Sequence, residues 1–596
     1  MRLRQEMLAS LNGSDKLLVI QVENNRSVQP AGDCKSTEVH QRGSTIPLNR
    51  KGNSMTRIRR ILFAGLMAST MIAGPVFAAG NHPVTGDPLA DDQTFTYRVL
   101  DEHSSVDPQV VEDVSGSEIV RDLFEGLFNQ DADGNLIPGV ALEYTVNEAK
   151  DVYTFKLRPE AKWSNGDAVV AGDFVYAWQR LVDPELASPY AWFGELMSVE
   201  NAKAIIAGEK PMSDLGISAV DDHTLEVRLT ASLPYFPLMT THASTFPVHK
   251  ATIDAHGAEW TKPGNIVSNG AYVLTTHVPN ERSVRERNEM YWDNGDTIVD
   301  KVVALVINDE NVALTRYFAG ELDRTEMPAG QFPKMKAEYP NEAISFPRLC
   351  SYYYTYNLSD SGPEAFKDVR VRKALALAVD RSIITEKILA GGQPEAYTFT
   401  PGATAGFEIP AVKMASMSQP DRDEMAKALL AEAGYDAGNP LKFNMLYNTS
   451  EAHKKIAVAM SQMWKQKLGV EATLANMEWK TFLDTRGNQD FDLARGAWCG
   501  DYNEASTFLD LVQSDSGYND GKFNNGRVDE LLSEAKTSSN PQPLYREIEQ
   551  IMATEMPVIP VYHYAGVYMM DSDVGNWPVK NVEQNWYSKD LYKIAE

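Results

Sequence analysis

Runs of period-two hydrophobicity alternate with amphipathic stripes of helical period along most of this chain, and a chain so patterned must stack helices on sheet. Val152-Tyr153-Thr154-Phe155-Lys156-Leu157 and Leu225-Glu226-Val227-Arg228-Leu229 read as half-buried strands, the second with clean alternation. Ile119, Val120, Leu123, Phe124 and Leu127 form one apolar helical stripe, with Ser117 able to cap its first turn. Further on, Asp368 can cap a helix carrying Val371, Ala374, Leu375 and Ala378, and Asp380 can start another that stops at Gly391-Gly392. A helix from about Glu451 buries Ile456, Met460, Met463, Trp464 and Leu468, stops at Gly469 and leads into a strand from Val470 to Leu474. The expected fold class is α/β. An early strand-rich stretch and a later helix-rich one suggest two lobes, with a ligand enclosed where they meet.

What folds is set by a leader. Arg57, Arg59 and Arg60 precede an uncharged apolar run from Ile61 to Phe77 that ends in Ala78-Ala79-Gly80, the layout of a secretory signal with cleavage predicted after Ala78. Gly65, Gly74 and Pro75 interrupt the run, which is too short to favour a permanent membrane span. No cysteine stands at the cleavage point, so the exported protein is expected to carry no lipid anchor. Residues 1–54 lie ahead of Met55 without sustained periodicity and are expected to reflect a start called too early, leaving 55–78 as the signal peptide.

The whole chain holds 56 basic and 82 acidic side chains, and 11 and 5 of these lie in residues 1–78, so the exported part has a formal charge of −32. Such a surface repels phosphate backbones, which makes nucleic acid and anionic membranes poor partners, although it leaves room for a local basic pocket. The exported part is also longer than one core supports, so two or three domains are expected. Once Cys34 leaves with the leader, Cys350 and Cys499 remain, and two cysteines in an exported protein read as one bridge. Closing so long a loop constrains the unfolded chain by about 5 kcal/mol in the chain-entropy model.

The segment from Tyr153 to Gly166, YTFKLRPEAKWSNG, continuing to Asp173-Phe-Val-Tyr-Ala-Trp-Gln-Arg180, resembles the peptide-binding family of extracellular solute-binding proteins, cluster C or family 5. Further matches follow in order at Pro263 to Tyr272, Asp368 to Leu375, Glu478 to Arg486 and Trp498-Cys-Gly-Asp-Tyr-Asn-Glu504. The resemblance implies a two-lobed periplasmic binding protein of type II with an extra domain in the first lobe. Lobe I is expected to comprise 79–124, 249–349 and 557–596, the extra domain 125–248 and lobe II 350–556, with hinges near Leu349 to Cys350 and Pro557 to Val561. It also implies a periplasmic monomer, free of cofactor and metal, that binds short peptides and delivers them to the membrane permease of an ABC transporter. The alternative cargo within the family is murein tripeptide.

Carried over residue by residue, the resemblance makes Asp501 the partner of the peptide's α-ammonium, beside the bridge of Cys350 and Cys499. A carboxylate suits that role, because an ammonium loses several kcal/mol on desolvation unless a charged acceptor replaces its water. Trp479 and Trp498 are expected beside the pocket, Arg486, Arg495 and His453 as cations for the peptide's C-terminal carboxylate, and Glu112, Val114 and Tyr190 near its backbone. Main-chain recognition lets one receptor accept many sequences. Gly500 and Thr355 stand where bulkier residues are expected, and Thr404 to Ser418 is poorly similar.

Other chemistries find little support. Asp131-Ala-Asp133-Gly134 opens like a calcium loop, but Leu142 falls where the bidentate glutamate belongs, so a turn is expected. The 22 methionines include Met460 and Met463 at helical core spacing, which favours core filling over a copper site. A secreted peptidase would need a catalytic set, and no G-x-S-x-G, H-E-x-x-H or free thiol is present. Ser533-Glu-Ala-Lys536 matches S-x-x-K without its partner motifs. A peptide-binding chaperone is the remaining alternative, and it would tolerate extension of both peptide ends.

Overall fold

A computed structural model describes residues 80–595 of the chain. The expected extension, signal peptide and cleavage point lie outside the described residues. The fold is mixed α/β, as the alternation implies.

A ten-stranded sheet organises the molecule. Read from one edge, its strands are Glu471–Met477, Lys442–Asn448, Leu493–Cys499, Ala343–Tyr356, Val558–Met570, Arg324–Glu326, Thr94–Val99, Lys301–Val306, Arg282–Arg287 and Tyr272–Val278. The two long central strands, Ala343–Tyr356 and Val558–Met570, pair antiparallel over their length, with register shifts between Pro347 and Ser351 and between Tyr352 and Tyr353. One end of this pair supplies Ala343 and Met569 to an apolar cluster with Leu314 and Tyr317. The other end supplies Tyr352, Tyr354, Tyr356, Ile559 and Val561 to a second cluster with Leu375, Met460 and Trp464. The strands therefore tie two separate cores together.

A separate antiparallel sheet of Ala141–Val146, Val152–Leu157, Thr224–Arg228 and Ile217–Asp221 carries the strongest sequence motif. Phe155, Leu157, Leu225 and Val227 point into a core shared with Trp163, Trp178 and Phe236. Polar positions of the same strands face outward, which is the alternation a one-sided sheet requires.

Local signals explain the helices near the cleft. Ser450 caps the helix Glu451–Leu468 by accepting from His453 N, and Gly469, at φ +71°, ends it as only glycine does without strain. Asp368 caps Val369–Ala378 by accepting from Arg370 N at 2.8 Å. Two expectations are corrected. The helix Val114–Leu123 is capped by Asp113, which accepts from Gly116 N at 2.6 Å, so Ser117 lies inside it. After Asp380 the backbone winds as a π-helix, Ile383–Leu389, and stops one residue before the glycines, because Ala390 takes the left-handed conformation at φ +50° while its N–H closes the last turn on Thr385 O. The Asp131 segment is a turn, held by Asp131 Oδ1 accepting from the backbone of Asp133 and Asn135.

Cys350 and Cys499 are bridged and sit opposite one another in the register of Ala343–Tyr356 and Leu493–Cys499. The bridge lies two residues before Asp501. Among the described residues, no helix is long and apolar enough to cross a membrane.

Candidate ligand-binding cavity

A cavity of about 440 Å³ opens between segments that precede residue 350 and segments that follow it. All nine residues singled out from the sequence, Glu112, Val114, Tyr190, His453, Trp479, Arg486, Arg495, Trp498 and Asp501, line it. Elements distant in the chain bring them together. Val114 opens its helix, Tyr190 precedes Ala191–Leu196, Trp479 and Arg486 share the helix Trp479–Gly487, and Arg495 and Trp498 lie on Leu493–Cys499.

Asp501 is 7 % exposed, and among the described residues no Lys or Arg lies within ion-pair distance of its carboxyl group. Tyr190 Oη donates to Oδ1 at 3.3 Å, His242 Nε2 lies 3.5 Å away, and Oδ2 has no partner. Burial pushes the carboxyl well above the ordinary carboxylate range, the Tyr190 hydrogen bond opposes this, and Glu583 adds to it. His242 is no counter-ion, because burial, with Arg121 adding to it, holds its pKa down at about 3. The group is thus a carboxyl held away from water with one oxygen free and its ionised form disfavoured until a cation arrives.

Aromatic rings wall this end of the cavity. Trp498 lies 5.2 Å from Tyr518 and 6.4 Å from Tyr190 by ring centroids, and its Nε1 is buried without a partner. Tyr518 Oη donates to Glu112 Oε2 at 2.7 Å on the same lining. Burial raises the Glu112 pKa, against that hydrogen bond. Trp479 stacks on Phe482 at 5.9 Å, half-buried at the cavity edge.

The three basic candidates differ. Arg486 is already engaged, with Nε 2.6 Å from Asp520 Oδ2. Arg495 touches only neutral groups, donating to Tyr564 Oη at 2.7 Å and Asn448 Oδ1 at 3.3 Å, with its guanidinium 5.0 Å over the Tyr352 ring. His453 is buried with Nδ1 unpartnered, and burial and Arg495 push its pKa well below the ordinary value, so it is neutral in this arrangement rather than cationic. Gly500 does not enlarge the cavity: an added Cβ would meet Leu349 Cδ2 at 2.6 Å, so the glycine makes room for Leu349 beside the bridge.

Sequence reading missed Arg121 and Glu583, both buried on the cavity wall. Burial raises Glu583 to about 7, and its Oε1 has no partner. The signal for Arg121 was present in Glu118, Arg121 and Asp122, charges interleaved with the apolar stripe of one helix.

Residues 135–520 match the model of the bacterial extracellular solute-binding proteins, family 5. The chain belongs to this family. It is 45 % identical over 547 residues to the periplasmic oligopeptide-binding protein OppA of Escherichia coli, covering 91 % of this chain and all of that one. The structure of the Escherichia coli murein tripeptide binding protein MppA is similar at TM-score 0.83 and 42 % identity, covering 85 % of this chain and all of MppA. The Haemophilus influenzae OppA complex with the peptide RPPGFSPFR is similar at TM-score 0.81 and 37 % identity, covering 85 % and 100 %. The unliganded open form of MppA, equally identical at 42 % and covering 85 % and 98 %, gives only 0.63. Equal identity with unequal fit means that the arrangement of parts here departs from that of the unliganded open form of MppA. The fold is that of the family's substrate-binding proteins.

Proposed function

We propose that this protein is the periplasmic receptor of an ABC-type importer, binding short peptides by their main chain and ends and passing them to a membrane permease without altering them. The observation that carries this reading is Asp501, an acidic side chain buried in the cavity with Oδ2 free and, among the described residues, no Lys or Arg within ion-pair distance. A cationic guest end supplies what the site lacks, and burial strengthens the resulting charge-assisted hydrogen bonds. The relatives named for oligopeptide and murein peptide binding support the ligand class.

In this reading 79–124, 249–349 and 557–596 form one lobe with 125–248 as its extra domain, and 350–556 forms the other. The register shifts of the long strands fall near Leu349–Cys350 and opposite Pro560, where the chain crosses between lobes and a hinge belongs. Tyr190 to Asp501 and Tyr518 to Glu112 are then bonds across the closed cleft. Closure is driven by the ligand's greater affinity for this arrangement than for an open one.

The test is mass spectrometry of molecules released by denaturing freshly purified protein, followed by titration with those molecules. Heterogeneous short peptides that rebind are expected, and incubation should return them uncut. One mass containing diaminopimelate would shift the cargo to murein peptide. Cleavage products that track the protein, or no affinity for any short peptide, would contradict the reading.

A further inference from the structure

Away from the aspartate-lined end of the cavity, two imidazoles converge on one carboxylate oxygen. His277 Nε2 lies 2.8 Å from Glu102 Oε1, and His103 Nδ1 lies 3.2 Å from the same atom. One ligand atom from each of the three residues falls within 4.8 Å of the others, and the two rings are 4.9 Å apart at centroids. Glu102 and His103 are buried and His277 is half-buried. Glu102 Oε2 is tied separately to Asn280 N at 2.6 Å, which fixes the carboxylate and leaves Oε1 for the histidines.

We propose that Glu102, His103 and His277 form a binding site for a divalent transition metal, zinc in particular. Zinc takes nitrogen and carboxylate oxygen ligands at about 2.0–2.2 Å in a tetrahedron. Ligand atoms of such a site stand about 3.3 Å apart, by tetrahedral geometry from those bond lengths. The observed 2.8 and 3.2 Å between each imidazole and the carboxylate need a few tenths of an ångström of opening to admit the ion, and the two imidazole nitrogens lie within 4.8 Å of one another. A hydrogen bond accounts for His277, whereas His103 approaches the same oxygen without a directed one, and a shared ion accounts for both. Two imidazoles also select against calcium and magnesium, which prefer oxygen ligands. The fourth position is left to water.

The site joins distant parts of the chain. His277 sits near the end of the edge strand Tyr272–Val278, and Glu102 and His103 sit in the loop between Thr94–Val99 and the helix Val114–Leu123. The residue after His103 holds the start of that helix: Ser104 N donates to Asp113 Oδ2 at 2.5 Å, and Ser104 Oγ accepts from Glu112 N at 3.2 Å. A bound ion would therefore brace the loop that presents Glu112 and Val114 to the cavity.

Titration of the metal-free, full exported chain with Zn2+ and with Co2+ tests the proposal, against His277→Gln and His103→Gln. Glutamine at 277 keeps a hydrogen-bond donor for Glu102 while removing the imidazole. One Zn2+ per chain is expected, with visible Co2+ absorption of a four-coordinate site and an affinity loss of about tenfold or more in each variant. Absence of stoichiometric Zn2+ binding by the parent chain would overturn the proposal. So would Zn2+ affinity in both variants equal to that of the parent.

Discussion

Tyr190 Oη donates to Asp501 Oδ1 at 3.3 Å in the wall of the cavity, and this is the one directed hydrogen bond that the aspartate side chain receives among the described residues. A buried carboxylate so lightly held is costly to the fold and useful to a guest. Replacing Asp501 with Asn should cost about 2–5 kcal/mol of peptide affinity, because the guest's ammonium then stays buried without its charge partner. Calorimetric titration checks this, and a loss under about tenfold would remove Asp501 from the anchor role.

The same residue should oppose stability when the cavity is empty. The folded-state pKa of Asp501 lies above its unfolded value, so the folded protein resists ionising it, and stability is lost as pH rises through the unfolded value near 4 toward the folded one. Asp501→Asn removes that penalty. Thermal unfolding of ligand-free protein at pH 7 should therefore shift upward in the variant that binds worst, and an unchanged or lower midpoint would contradict the assignment.

Binding should release a proton at pH values between the ordinary carboxyl value and the raised value of the free protein. An incoming ammonium stabilises the charged form of Asp501 and pulls its pKa down, so affinity weakens as pH falls below the raised value of the free protein. Titrations in two buffers of different ionisation enthalpy should report the released proton in the parent chain. They should report less in Asp501→Asn; what remains would come from Glu583, held at about 7 on the same cavity wall.

Much of this was legible in the chain, for physical reasons that differ by residue. The strands Val152–Leu157 and Thr224–Arg228 follow from alternation, and Gly469 follows from the left-handed stop of a capped helix. Those are local signals. The cavity is not local: Glu112, Tyr190 and Asp501 meet only because the long strands at 343–356 and 558–570 carry the chain between two cores. Motif resemblance supplied the names of these residues, while spacing alone could not have joined them. Resemblance was silent on charge state. That Arg486 is neutralised by Asp520, that His453 is neutral and that Glu583 has an orphaned oxygen depend on packing that the sequence does not display.

Among the basic residues, Arg495 is expected to receive the guest's carboxylate, because Arg486 already has one in Asp520. Arg495→Met should reduce the advantage of a free peptide C-terminus over an amidated one, by about 1.5–3 kcal/mol for a charged hydrogen bond. Arg486→Met should leave that advantage largely intact. The reverse ranking, measured with free and amidated forms of one peptide, would exchange the two roles.

Breaking the Cys350–Cys499 bridge should lower the thermal midpoint more than it lowers affinity, since a bridge mainly constrains the unfolded chain. Paired serine variants, compared by unfolding and by peptide titration, test this. A binding loss as large as that of Asp501→Asn would mean the bridge positions the carboxylate directly.

The most direct measurement compares one short peptide with its Nα-acetylated form, titrated against the parent protein and Asp501→Asn. Capture of an ammonium by Asp501 requires acetylation to weaken binding to the parent by at least about 2 kcal/mol, and to matter far less in the variant. Equal affinity of the two peptides for the parent protein would contradict it.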